Sequence, residues 1–320
     1  MPDNRKFTLI ALVCVILVVL ALIANTPRLP EKLANLNMSG NPVVSLSPSD
    51  SFYEPDPTPT LTLGAKIASL IKTAPPAKNQ TEDPKRISAK SYLVGNILTG
   101  KILLTHNPDL VLPVASMSKL ITAMEAIDKM SLDQRITITE AVSSVPYGGN
   151  FFEEGETLTV EELLYPLLLS SSNIAAEALA STTNRTRFLE TMSSYAWEIG
   201  MSQTFFADPS GLSPTNISTA RDFFALARYL HESRPEILSI TKTKNYTLAT
   251  TTDHGRHEFV NIHPFARDPN FLGGKTGHTD VARDTMLTIM NIAGQPVAII
   301  VLGSENRQRD TLLLIEKMGR

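Results

Sequence analysis

One cysteine, Cys14, stands in the whole 320-residue chain, so an internal disulfide is impossible and a zinc site built on several cysteines is excluded. A basic excess is missing too. Lys and Arg number 29 against 32 Asp and Glu, and the net charge of −3 argues against a nucleic-acid binder, which normally carries a basic stripe. No internal repeat occurs. His254 and His257 lie three apart in "TTDHGRHEF" and invite a metal reading, but no third ligand stands near them in the sequence. No metal or cofactor is therefore expected. Long uncharged apolar runs are also lacking, with one exception.

That exception opens the chain. In "MPDNRKFTLIALVCVILVVLALIANTP" Arg5 and Lys6 precede an uncharged run from Phe7 to Ala24, 18 residues long and near the minimum for a bilayer-spanning helix. The run has no polar face, unlike a globular helix. Leu22-Ile23-Ala24 is a poor cleavage site. Residues 1–24 are read as a signal anchor, with a cleaved signal as the alternative. Cys14 lies inside the run rather than at its end, which disfavours a lipoprotein signal. The basic residues before the span place the rest of the chain outside the cytoplasm.

Residues 25–86 are rich in Pro, Ser, Thr and Asn and read as a disordered spacer, with a short helix in "GAKIASLIKTA". Order resumes near Ile87. "KSYLVGNILTGKILLTHN" reads as a β-hairpin. From Ser116, apolar Leu120, Ile121, Met124 and Ile127 mark one buried helix face. Thr159 and Glu162 form a capping box ahead of a helix, and a second helix follows Pro166 and the serine run. "TARDFFALARYLHES" is amphipathic. "DTMLTIMNIAGQPVAIIVLGS" gives two strands joined at Gly294-Gln295-Pro296, and "RQRDTLLLIEKM" closes as a helix. Trp197 and the Leu-rich stretches are expected in the core. Strands at both ends and helices between them predict an α/β (α+β) fold: a central antiparallel sheet made from both chain ends, flanked by helices, with an inserted helical subdomain.

Three short motifs share that region: Ser116-x-x-Lys119, Ser171-Ser172-Asn173 and Lys275-Thr276-Gly277. Each is weak alone, although the third occurs once. Ser69 with Lys72 and Ser239 with Lys242 repeat the first spacing, and Ser39-Gly40-Asn41 and Ser304-Glu305-Asn306 repeat the second. Together they supply what acyl transfer needs. Ser116 is a weak nucleophile until a neighbour takes its proton, and Lys119, one helical turn on, is in reach to do so. A helix start also favours a developing oxyanion. Ser171 and Asn173 can relay a proton and orient Lys119 and the substrate. Lys275 and Thr276 can bind a carboxylate, and Gly277 leaves room for a substrate strand. Burial and the charge of Lys275 are both expected to lower the pKa of Lys119.

This set resembles the serine D-alanyl-D-alanine carboxypeptidases, the low-molecular-mass penicillin-binding proteins, whose three motifs are shared with class A β-lactamases. The likeness extends from about Ile87 to Arg320 through "PVASMSKLITA", "EEGETLTVEELLYPLLLSSSNIAAEALA", "FADPSGLSPTNISTARDFFALARYL" and "GGKTGHTDVA". The resemblance implies a serine β-lactamase/DD-peptidase-like fold and an acyl-enzyme on Ser116. It also implies an oxyanion hole from the backbone N–H groups of Ser116 and His278, peptidoglycan stem peptides as substrate and β-lactams as inhibitors.

Three departures stand out. Ile174 replaces the family's usual Asp after the Asn, with Ser172 in place of Gly. Ala282-Arg283 stands where the family usually has Ala-Gly, and an Arg in place of that Gly is expected to alter the floor or rim of the site. Many relatives carry a C-terminal β-rich domain and membrane helix, and this chain is expected to be anchored from its N-terminus instead. Two rivals remain. A β-lactamase of class A is disfavoured because no Glu-x-x-Leu-Asn occurs between Asn173 and Lys275. A non-catalytic wall-binding homologue would keep the pocket without the reaction.

Overall fold

The computed structural model describes residues 86–147, 151–182 and 184–319. The expected anchor, the spacer up to residue 85 and the Ser69–Lys72 pair lie outside them. Among the described residues no helix is long and apolar enough to cross a membrane.

The two ends of the described residues build one antiparallel sheet. Its strands are β1 (Ser91–Asn96), β2 (Ile102–His106), β3 (Phe271–Thr279), β4 (Arg283–Ile292) and β5 (Gln295–Ser304), in the order β2-β1-β5-β4-β3. The first hairpin closes because Asn96 Oδ1 accepts from the N–H groups of Leu98 (3.0 Å) and Thr99 (2.9 Å), while Gly100 takes φ +73°. The second hairpin turns at Ala293 (φ 52°) and Gly294 (φ 77°), one residue before the expected joint. Two positive φ values match the twist of the flanking strands, and Gln295 and Pro296 open β5 instead.

β5 is central, and its alternation serves two cores. Ala298, Ile300 and Leu302 face the large cluster formed with the helical insertion, and Val297, Ile299 and Val301 face the other side. On that second side lies α7 (Arg307–Met318), whose Leu314 is fully buried among them. Its Asp310 is also fully buried and accepts from Ser88 N–H (3.0 Å), Ser88 Oγ (2.7 Å) and Ser304 Oγ (2.6 Å), which ties the start of the described chain to its end. Ser304-Glu305-Asn306 is thus a structural segment.

The insertion carries α1 (Lys119–Lys129), α2 (Val160–Leu168), α3 (Asn173–Ser181), α4 (Arg185–Glu198), α5 (Ala220–Ser233) and α6 (Pro235–Lys242). The capping box at α2 forms in full: Thr159 Oγ1 accepts from Glu162 N–H (3.1 Å), and Glu162 Oε2 accepts from Thr159 N–H (2.8 Å). α2 runs through Pro166 to Leu168, with the proline buried. Leu120, Ile121 and Met124 of α1 are fully buried as expected. Trp197 is not in the core. It lies at the end of α4 with 70% of its surface exposed, while Phe188, Met192 and Ala196 take the buried face. Ser239 and Lys242 are exposed on α6, so their spacing reflects only the helix.

Candidate active site

The chain enters α1 through a 3₁₀ turn, Ala115–Ser118, that opens with Ala115 at φ 50°. In a 3₁₀ helix residues three apart stand directly above one another. That tighter turn, rather than an α-helix beginning at Ser116, brings Lys119 Nζ to 2.9 Å from Ser116 Oγ. Ser116 itself is half-buried.

Two glycines allow neighbours to close on the turn. A Cβ on Gly211 (φ 87°) would lie 2.1 Å from the Ala115 carbonyl oxygen. A Cβ on Gly277 would lie 2.9 Å from Ser116 N and Val114 O, and 2.5 Å from Thr285 Oγ1. Thr285 Oγ1 donates to the Val114 carbonyl at 2.9 Å. Gly277 was expected to make room for a substrate strand. The space its missing side chain leaves is filled instead by the chain's own Ser116 turn.

Lys119 is fully buried. Its amine donates to Asn173 Oδ1 at 2.7 Å and to the Ser210 backbone carbonyl. Burial pulls its pKa from 10.5 to about 7, against the opposing charges of Asp208 and Glu177. Lys275 was expected to add its positive charge to this lowering. The coupling falls on Lys275, which is pushed well below the ordinary lysine range by burial, then by the charges of Lys119 and Arg307.

The second motif meets the third. Ser171 sits at φ 61°, and Lys275 Nζ donates to Ser171 Oγ and to the Thr276 carbonyl, each at 2.8 Å. A non-glycine residue in this region is strained, and such residues cluster at functional sites. Ser172 between them is the N-cap of α3, its Oγ accepting from Ala175 N–H at 3.2 Å. A helix cap and a site motif therefore coexist on adjacent residues. The Asn173 amide is fixed from both ends. Its Nδ2 donates to the carbonyls of Pro146 (3.2 Å) and Tyr147 (3.1 Å), which leaves Oδ1 for Lys119. Ile174, which replaces the usual Asp, is buried in the main core.

Lys275 and Gly277 share one face of β3, as a two-residue period requires, and Thr276 is buried between them. The His278 side chain points outward to Asp284, with Nδ1 and Oδ1 2.8 Å apart. Arg283 is half-exposed and its guanidinium pairs with Glu305 at 3.0 Å. Its φ of 56° explains why a glycine suits this turn. His254 and His257 are spent on carboxylates: His257 Nε2 lies 2.9 Å from Glu156 Oε1, and His254 Nε2 lies 3.5 Å from Glu162 Oε1.

Three participants had not been singled out. The Ser210 carbonyl and the Asp208 carboxylate beneath it belong to "FADPSGLSPTN", but a carbonyl leaves no residue-type signature. Arg307 donates to the Gly277 carbonyl at 2.8 Å and to Asp284 Oδ1 at 3.2 Å, bracing β3 from the far end of the chain.

This geometry has counterparts. The D-alanyl-D-alanine carboxypeptidase family pattern matches residues 77–306, starting before Ile87. A D-alanyl-D-alanine endopeptidase of Pseudomonas aeruginosa is 33% identical over 253 residues, covering 76% of this chain and 80% of that protein. The D-alanyl-D-alanine carboxypeptidase DacF of Bacillus subtilis is 30% identical over 268 residues, covering 79% and 68%. Ampicillin-bound penicillin-binding protein D2 of Listeria monocytogenes superposes with a TM-score of 0.64 at 29% identity, covering 73% of this chain and 98% of that one. The chain belongs to the D-alanyl-D-alanine carboxypeptidase family of serine peptidases.

Proposed function

We propose that Ser116 is the nucleophile and Lys119 its base in a serine DD-carboxypeptidase that removes the terminal D-alanine from peptidoglycan stem peptides. The observation that carries this reading is that residues from three distant segments are joined by two short hydrogen-bonded sets beside Ser116. Ser116 Oγ has Lys119 Nζ at 2.9 Å, Lys119 holds Asn173 at 2.7 Å, and Ser171 holds Lys275 at 2.8 Å.

The neutral Lys119 amine takes the Ser116 proton as Oγ bonds to the penultimate carbonyl carbon. Negative charge develops on the carbonyl oxygen, which faces the N–H groups of Ser116 and His278. Collapse breaks the C–N bond. The departing amine of D-alanine takes the proton back, by way of Lys119 and Ser171. Water then attacks the ester, gives its proton to Lys119 and frees the acid, and Ser116 regains its hydrogen. The free carboxylate of the substrate binds Lys275 and Thr276. A negative group there favours the Lys275 ammonium, opposing the burial that lowers its pKa. A β-lactam acylates Ser116 by the same step, but its leaving amine stays tethered.

A second reading is endopeptidase action, in which the leaving amine belongs to a neighbouring peptide. The Pseudomonas aeruginosa relative, named as a D-alanyl-D-alanine endopeptidase, favours it. Membrane attachment through residues 1–24, with the catalytic domain outside the cytoplasm, completes the proposal. It rests on Arg5 and Lys6 before the uncharged span. A soluble mature protein starting near Asn25 would overturn the anchor.

The test is fluorescent penicillin on the wild-type chain and on Ser116→Ala. Stable labelling lost in the variant supports the acyl-enzyme, turnover of the drug points to a β-lactamase, and no reaction points to a wall-binding homologue. D-alanine release from a monomeric pentapeptide and cleavage of a cross-linked dimer then separate the two peptidase readings. Charge-assisted hydrogen bonds contribute about 1.5–3 kcal/mol, so amidating the pentapeptide C-terminus is expected to lower turnover about tenfold to a hundredfold. Equal rates on acid and amide remove the role given to Lys275 and Thr276.

A further inference from the structure

Lys119 cannot serve as a base without becoming, for part of each cycle, a buried ammonium. Something must accommodate that charge. The groups facing it are few. Ser116 and Asn173 are neutral, and Lys275 is of the wrong sign. Glu177 on α3 is already answered by Arg185, at 2.9 Å to Nε and 3.0 Å to Nη2. Asp208 remains. It lies in the segment between α4 and α5 and is 8% exposed. Its Oδ1 accepts from Ser210 N–H (2.8 Å), Ser210 Oγ (2.8 Å), Gly211 N–H (2.6 Å) and Leu212 N–H (3.2 Å), and its Oδ2 accepts from Ser213 N–H (2.6 Å). These donors are all neutral.

This fan of hydrogen bonds folds residues 208–213 into a tight loop, and the loop presses on the nucleophile turn at several points. The Ser210 carbonyl accepts from Lys119 Nζ, the Pro209 carbonyl accepts from Thr122 Oγ1 at 2.6 Å, and Gly211 is packed against Ala115 and Ser118. Asn216 secures the far side, with its Oδ1 accepting from Ala207 N–H (2.8 Å) and Asp208 N–H (3.1 Å).

We propose that Asp208 is a positioning residue for the reaction: its carboxylate aims the Ser210 carbonyl at Lys119 and supplies the negative charge that accommodates the ammonium Lys119 becomes on taking the Ser116 proton. This rests on Lys119 acting as the base. The charge of Asp208 is the first to oppose the burial that lowers the Lys119 pKa. Without it the ammonium is harder to form. The amine is then neutral at lower pH, and it is also a weaker base.

The experiment is the pH profile of penicillin acylation in the full chain. For Asp208→Asn, which keeps the shape and loses the charge, the acid limb should move down by about one pH unit or more, and the plateau rate should fall. Asp208→Glu, which keeps the charge, should hold the limb at the wild-type pH even if its plateau drops. A loop with a merely structural role would lower the melting temperature and leave the limb where it was. A folded Asp208→Asn with an unmoved limb overturns the inference. Should that variant not fold, a limb displaced by a unit in Asp208→Glu overturns it, and an unmoved one supports it. Ser116→Ala separates the two levels. Labelling that persists in Ser116→Ala sinks the mechanism itself, whereas Ser116-dependent labelling indifferent to Asp208 sinks only this inference.

Discussion

A neutral lysine amine has two hydrogens and one lone pair. Around Lys119 the Asn173 side-chain oxygen and the Ser210 carbonyl can only accept, so they take the two hydrogens and turn the lone pair toward Ser116 Oγ. Burial brings its pKa to about 7, so a large share of the amine is neutral near neutral pH, where an exposed lysine would be charged. The same burial has a cost in stability, and its sign follows from linkage. The folded pKa is about 7 and the unfolded value 10.5, so between these limits the unfolded chain binds a proton that the folded one does not. The cost is complete below pH 7 and fades as the pH rises toward 10.5. Comparing wild type with Lys119→Met by urea denaturation, wild type should gain about 2 kcal/mol on the variant between pH 7 and 9. A gap that ignores pH would show that Lys119 is not held neutral. The serine and lysine were legible in the sequence because their pair stands with the two other motifs in one folded region, not from its spacing alone. The carbonyl that orients the lysine was not, since every residue has one.

Single elements place these residues by close approach. β3 carries Lys275 into the site and lies against the Ser116 turn at Gly277, where no side chain fits. Gly277→Ala would force β3 or the turn to move. Overpacking of this kind costs about 1–3 kcal/mol, so the variant should still fold. Catalysis is more sensitive, because a misplacement of about 1 Å costs on the order of a hundredfold in rate. Penicillin labelling of Gly277→Ala should therefore slow by about a hundredfold while the circular dichroism spectrum is unchanged, and wild-type labelling would mean that the contact has slack. At this scale the helices were readable from apolar spacing and caps, down to the Thr159–Glu162 box. The 3₁₀ turn at Ser116 was not, because it depends on Ala115 at φ 50° and on the neighbours that press against it. The β4–β5 turn was placed one residue late for a related reason: Gln295 and Pro296 look like turn residues, but the positive φ values fall on Ala293 and Gly294.

Across the whole molecule the sheet separates two cores with different duties. One side packs the helical insertion that supplies Ser116, Lys119, Ser171 and Asn173, and the other packs α7. The apolar strands at both chain ends made a shared sheet legible. The order within it was not, since strand spacing alone does not say that the last strand becomes the central one. Nor did composition predict an exposed Trp197, which neighbouring small and apolar residues displaced from the buried face of α4. The division has a measurable consequence. Leu314 is fully buried on α7 among Val94, Val297, Ile299 and Val301, on the side of the sheet away from the insertion. Leu314→Ala opens a cavity there and should lower stability by about 2–5 kcal/mol, read as a fall in the urea midpoint. β5 and β4 stand between that cavity and the Ser116 turn, and a packed sheet relaxes only partly around a missing side chain. At 25 °C, where the variant is still folded, its penicillin labelling rate should match wild type within twofold. A labelling rate that falls in step with stability would mean that α7 holds the site through Arg307 and the Gly277 carbonyl, and that the two cores act as one.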